Sequence, residues 1–145
     1  ELKTEFTTID ELKTIKLALI HDIVEIYAGD VIAFDHVARK EKEKLEIEAL
    51  NKLADIYPIF GEELSSLWHE FEAKETLEAK IAKAADSICP IFKRLHAKQS
   101  YVPFNVTIQR LDETKKSIFS FSKTFDRLYQ QLKSDLVQYD LIKSN

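Results

Sequence analysis

The segment LIHDIVEIYAGD, residues 19–30, sets four ionisable side chains, His21, Asp22, Glu25 and Asp30, into a run that is otherwise nearly all apolar. Burying an uncompensated charge is expensive, so such groups carry partners or bind a metal. Imidazole nitrogen with carboxylate oxygen is a donor set suited to a first-row divalent ion such as Mn, Fe, Co, Ni or Zn. On one continuous helix His21 and Glu25, four apart, share a face. Asp22 then lies one position round, and Asp30 falls just past the helix end, placed to fold back over the same region. Two ligands are too few for a tight site, so at least one more must come from elsewhere. Asp86, in AKAADSI, is the best placed, because Ile81, Ala82, Ala85 and Cys89 mark that stretch as core. Lys83, three residues earlier, offers an ion pair instead. From the residues alone, Asp86 is a ligand or an ion-pair partner.

The elements that must position these groups are helical. Only two glycines and three prolines occur, and no strand-like alternation persists. Thr8-Ile9-Asp10-Glu11 has the form of a capping box. Leu12, Ile15, Leu19, Ile23 and Ile26 then recur every three or four positions, predicting a core-facing helix over 9–27 that ends at Ala28-Gly29-Asp30, with Gly29 suited to a left-handed position. Residues 28–37 read as a loop. A second helix is expected over 38–57, amphipathic through Leu45, Ala49, Leu50, Leu53 and Tyr57, its charge run RKEKEKLE a solvated face. Pro58 to Gly61 should break the pattern before a short helix over 62–73 carrying Leu64, Leu67, Trp68 and Phe71. Thr76 reads as the N-cap of a fourth helix over 77–97, with Glu78 in its first turn and Pro90 expected to kink or divide it. After a loop over 98–105 the tail is helical, with Ile118, Phe121, Phe125, Leu128, Leu132, Leu136 and Tyr139 forming a stripe for the domain's own core or for another subunit.

The chain has 145 residues, the size of one domain, with 45% apolar and 32% charged residues, as a globular protein has. No apolar run approaches the roughly 20 residues that span a bilayer, and ELKTEFTTIDELK lacks the apolar region of a signal peptide. A single cysteine, Cys89, excludes an intrachain disulfide and fits a reducing cytoplasm. The formal charge of −4, with both signs interspersed, argues against a binder of nucleic-acid backbones. Small anionic metabolites stay open, because one metal ion dominates its local field. The chain opens on Glu and contains no Met, which suggests that it is N-terminally incomplete.

The succession of LIHDIVEIYAGD, a charged helix ending EIEALNKLADIYP, and LWHEFEAKETLEAKIAKAADSI resembles the HD-superfamily metal-dependent phosphohydrolases, in particular the 5'-deoxynucleotidase branch. A lone His-Asp pair is a weak signal; His-Asp-x-x-Glu followed by Gly-Asp, LWHEFE and a distal Asp at this distance is a specific one. The resemblance covers residues 9–90 and implies an all-α, HD-domain-like helical bundle. It implies one divalent transition-metal ion held by His21, Asp22 and Asp86, with Glu25 and Asp30 as the acids beside the substrate phosphate and scissile oxygen. It also implies a nucleoside or deoxynucleoside 5'-monophosphate as substrate, and permits a homodimer. The family's first ligand, a His on an earlier helix followed by an aromatic residue, has no counterpart, since no His precedes His21. Three alternatives stay open: hydrolysis of another phosphate ester, a helical module that binds metal or nucleotide without catalysis, or a purely structural helical protein in which the opening acids and imidazole pair among themselves.

The other candidates carry plainer expectations. His69 and His96 read as surface residues, and Trp68 and Phe71 as core packing. Asp35 and His36, near the proposed site, serve a phosphate contact or simply loop polarity. Glu72 sits where the family places an acid that can line the pocket. Cys89 reads as a buried, inert thiol, since no cation stands beside it.

Overall fold

The computed structural model describes residues 1–29 and 36–143; for residues 36–41 it describes the backbone alone. The helices are α1 (Leu2–Glu5), α2 (Glu11–Ile20), α3 (Glu25–Ala28), α4 (His36–Ile56), α5 (Pro58–Ala73), α6 (Leu77–His96), α7 (Ile108–Phe119) and α8 (Lys123–Gln138), with a 3-10 turn at Val102–Phe104 before α7. Among the described residues there is no strand, only an isolated bridge between Thr107 and Lys143. The fold is all-α, as expected. Among these residues no helix is long and apolar enough to cross a membrane. Contacts group the chain into two compact units, residues 10–79, and residues 1–9 with 80–145.

In the unit of residues 10–79, α2 packs on α5, α5 on α4, and α4 on α3. Val24, Ala49, Leu50 and Trp68 form one buried cluster, with Ile20, Ile23, Ala28 and Leu64 packed against it. Leu17 and Phe71 are also buried, and so is Trp68 as foreseen. The helix expected over 9–27 is corrected in three respects. It begins later, with Asp10 as N-cap accepting from Lys13 N at 2.9 Å, so Thr8 is not the cap. It is interrupted after Ile20, where i→i+3 bonds such as Ile23 N to Ile20 O and Glu25 N to Asp22 O, both 3.0 Å, tighten the chain. And its expected core stripe is largely outside: Leu12, Ile15 and Leu19 are 66%, 56% and 76% exposed. The reason is that α2 has α5 as its helical neighbour, and Leu17, not that stripe, faces inward. Gly29 ends α3 with φ +76° but ψ 163°, an extended exit that only glycine adopts readily.

Pro58 does not break the pattern; it opens α5 at the first position, where its missing N–H costs nothing. Gly61 lies inside this helix because a Cβ there would come within 3.0 Å of Ala54 Cβ and its carbonyl oxygen. That absent methyl lets α4 and α5 approach closely. Thr76 caps α6 as expected, its Oγ1 accepting from Ala79 N at 3.2 Å.

In the unit of residues 1–9 and 80–145, α7 packs on α8, and α1 on α8. Phe119, Phe125, Tyr129, Leu132 and Leu136 are buried, so much of the C-terminal stripe serves this unit's own core. The tail is two helices, not one, because Ser122 caps α8 through Phe125 N. Glu5 reaches the same end and accepts from Ser122 Oγ, Lys123 N and Thr124 N. α6 runs through Pro90 undivided. Its inner face is Ile81, Ala84, Ile88 and Ile91, with Ala82 and Ser87 beside them. Ala85 and Cys89 are exposed, correcting the expectation of a buried thiol. Positions 81, 85 and 89 drift about 40° per step round a helix, so they leave the face that 81, 84, 88 and 91 keep.

Candidate metal centre

The tightened turn at His21–Val24 decides where the opening acids point. Val24 is wholly buried, which stabilises the turn by roughly 1.5–3 kcal/mol. Anchoring Val24 in the core brings the His21 side chain to 14% exposure, while Asp22 stays 62% exposed. The His21 ring packs against Phe71, centroids 4.8 Å apart, and its Nδ1 lies 2.8 Å from the Ala18 carbonyl oxygen. A carbonyl only accepts, so Nδ1 donates and Nε2 becomes the ring's ligand atom. Nε2 stands 3.1 Å from Asp22 Oδ1.

That separation suits a shared cation. Two donors about 2.1 Å from one ion and at right angles to each other lie about 3.0 Å apart. A backbone carbonyl behind the imidazole is also the usual support of a metal-ligating His. The same pair satisfies an ion pair when the ring carries a second proton. Among the described residues no three or more His, Cys, Asp and Glu side chains gather closely enough to hold a metal. The expected third ligand, Asp86, belongs to the other unit, where its Oδ2 lies 2.8 Å from Lys83 Nζ.

Glu25 does not share a helical face with His21 as expected, because the two are separated by the break between α2 and α3. Its Oε1 accepts from Lys42 Nζ at 3.2 Å. Lys42 stands equally 3.2 Å from Glu46, one turn along α4. Burial works against the Lys42 ammonium, but the two carboxylates outweigh it and raise its pKa above the ordinary lysine value. These two residues were missed in the charge run. The signal was available: positions 42 and 46 continue the stripe of Ala49, Leu50 and Leu53. Among the described side chains of the run, Glu43 and Lys44 are exposed, as the solvated face expected.

Asp30 and Asp35 lie outside the described residues, as does the His36 side chain. Glu72 is exposed, 3.6 Å from Lys74. His69 and His96 are at the surface, as expected. A groove of about 620 Å³ is lined by Ile20, Ile23, Ile26, Tyr27, Tyr57 and Phe60 among others. Its apolar wall offers little to a phosphate.

A sequence model of the HD domain matches residues 2–126. The chain belongs to the HD-domain family. The match extends past Pro90, where the resemblance was expected to fade. Curated HD relatives include the 5'-deoxynucleotidase HDDC2 of Bos taurus, 36% identical over 86 residues, 59% of this chain and 42% of that protein. The 5'-deoxynucleotidase HDDC2 of Dictyostelium discoideum is 32% identical over 130 residues, 88% of this chain and 68% of that protein. The chain spans 37–48% of the length of the vertebrate 5'-deoxynucleotidases that it matches, those of cattle, frog, human, mouse and zebrafish. A crystal structure of a predicted metal-dependent phosphohydrolase from Magnetospirillum magnetotacticum MS-1 superposes with a TM-score of 0.82 at 30% identity, covering 94% of this chain and 69% of that one.

Proposed function

We propose that this HD domain is a metal-dependent phosphomonoesterase that hydrolyses nucleoside 5'-monophosphates, deoxynucleotides included, to nucleoside and phosphate. The observation that carries the reading is the pair of donors at the His21–Asp22 turn, one fixed as Nε2 by a backbone carbonyl and the other 3.1 Å away. The resemblance to 5'-deoxynucleotidases supports the substrate class.

His21, Asp22 and Asp86 would hold the ion, Asp86 giving up its contact with Lys83. A divalent ion held by these residues would supply positive charge for the phosphoryl oxygens and lower the pKa of a bound water. Glu25 and Asp30 divide the proton traffic. One orients the attacking water and takes its proton; the other gives a proton to the ribose 5'-oxygen as its bond to phosphorus breaks. One O–P bond forms, one breaks, and the proton balance closes.

A second reading is a module that binds metal or nucleotide without turning it over. Assay of a panel of nucleoside and deoxynucleoside 5'-monophosphates with Mn or Co, beside other phosphate esters, separates the readings. Phosphate release that depends on metal and on His21 supports hydrolysis. Metal binding without release on any ester supports the module.

A further inference from the structure

Lys42 is placed where a lysine pays heavily for order. Its long side chain has much rotamer entropy to lose, yet it is held at equal 3.2 Å distances by carboxylates of two different helices, Glu25 of α3 and Glu46 of α4. All three side chains are largely covered, at 23%, 26% and 17% exposure. An internal comparison lies two residues on. Lys44 and Glu48 have the same spacing on the same helix, but they are 80% and 60% exposed and 3.9 Å apart. Exposed pairs of that kind contribute little and hold nothing in place. The first pair differs because Lys42 turns toward α3, and Glu46 stands behind it.

We infer that Lys42, backed by Glu46, is a positioning residue that fixes the Glu25 carboxylate for the proton-handling role proposed above. The inference rests on that reading for its catalytic consequence. Lys42 ties one carboxylate oxygen, Oε1, to α4 and limits how the group turns. Glu46 keeps the ammonium from following Glu25 toward substrate. A proton acceptor displaced by about 1 Å loses roughly a hundredfold in rate, which sets the expected size of the effect.

The test compares Lys42→Met, Lys42→Arg and Lys44→Met in the full chain. Lys42→Met should lower kcat ~10- to 100-fold, with KM within about threefold and bound metal unchanged. Lys42→Arg should recover most of the loss, and Lys44→Met should match the parent. Crystal structures of the parent and Lys42→Met give a readout independent of turnover: the Glu25 carboxylate should leave its place beside α4 in the variant. Unchanged kcat in Lys42→Met overturns the inference while leaving the proposed function intact. A raised KM with intact kcat also overturns it, because Lys42 would then be a phosphate contact. A parent inactive on every nucleotide sinks the function, and the position of Glu25 in the two structures then decides the positioning claim alone.

Discussion

Two charged clusters in the unit of residues 10–79 solve the same desolvation problem in opposite ways. At the corner joining α2, α5 and the start of α6, the polar groups close on one another. Glu70 accepts from Thr76 Oγ1 at 2.6 Å and pairs with Lys13 at 2.8 Å. Thr76 caps Ala79 N, Asp10 caps Lys13 N, and Glu78 accepts the Asp10 N–H at 3.0 Å. At the His21–Asp22 turn the network stays open: a ring nitrogen meets an exposed carboxylate, and Glu25 is tethered through one oxygen to Lys42. A closed network spends its hydrogen bonds on geometry. At the turn an imidazole nitrogen is instead set against a carboxylate, the donor pair that a first-row divalent ion takes.

The largest effect should come from the open cluster. His21→Ala or Asp22→Ala should abolish retention of a divalent ion, measured by metal analysis after gel filtration. Several kcal/mol of charge stabilisation go with the ion, so turnover should fall about a thousandfold or more. Full metal content in either variant would break the contrast, making the turn as structural as the corner. Glu25→Gln comes next. It should keep the ion and lower kcat by roughly 10²–10⁴; loss of metal in that variant would make Glu25 a ligand instead.

The same contrast explains how much was legible beforehand. The helical class, the Thr76 cap and burial of Trp68 and Phe71 followed from local pattern, which the structure respects. The closed corner was half visible: LWHEFE and ETLEAK identified the family, but that Glu70 and Thr76 are partners depends on how the chain turns back after α5, which the pattern does not say. At the open turn, periodicity was misleading. Leu12, Ile15 and Leu19 keep a helical spacing, but spacing defines a face without saying what lies against it. The break at His21 was hidden because all its residues tolerate helix, and Val24, buried in the core, tightens the chain there. Lys42 and Glu46 were lost in a charge run whose composition outweighed their position on the core stripe. Whether Asp86 joins His21 is a question that spacing leaves open. Asp86→Asn answers it: as a third ligand it should reduce divalent-ion affinity by at least about tenfold, read by titration calorimetry.

At the closed corner the effects should be on stability and small. Glu70→Ala removes two partners at once, and since Lys13 is partly exposed the loss should be about 1–2 kcal/mol. That corresponds to a Tm fall of roughly 3–6 °C in thermal unfolding, with metal content unchanged. A variant that lost metal would show that the corner positions the site more directly than its hydrogen bonds imply.

The smallest effect is one of pH, and it extends the closed pattern to the other unit. Glu5 sits at the N-terminus of α8, its pKa lowered from 4.5 to about 2, first by the Thr124 hydroxyl, then by the Thr124 and Lys123 N–H groups and Ser122, against some desolvation. The Glu70 carboxyl is also lowered, since Lys13 and Thr76 outweigh its burial. A carboxyl with a depressed folded pKa binds fewer protons folded than unfolded. Its contribution is therefore complete above about pH 4.5 and is lost as pH falls through the folded value, about 2 for Glu5. Glu5→Gln should flatten the fall of Tm between pH 4.5 and 2 while lowering the Tm at pH 7. An unaltered acid slope would show that α1 does not hold α8 through this carboxylate, and that closure of polar groups is confined to the corner of residues 10–79.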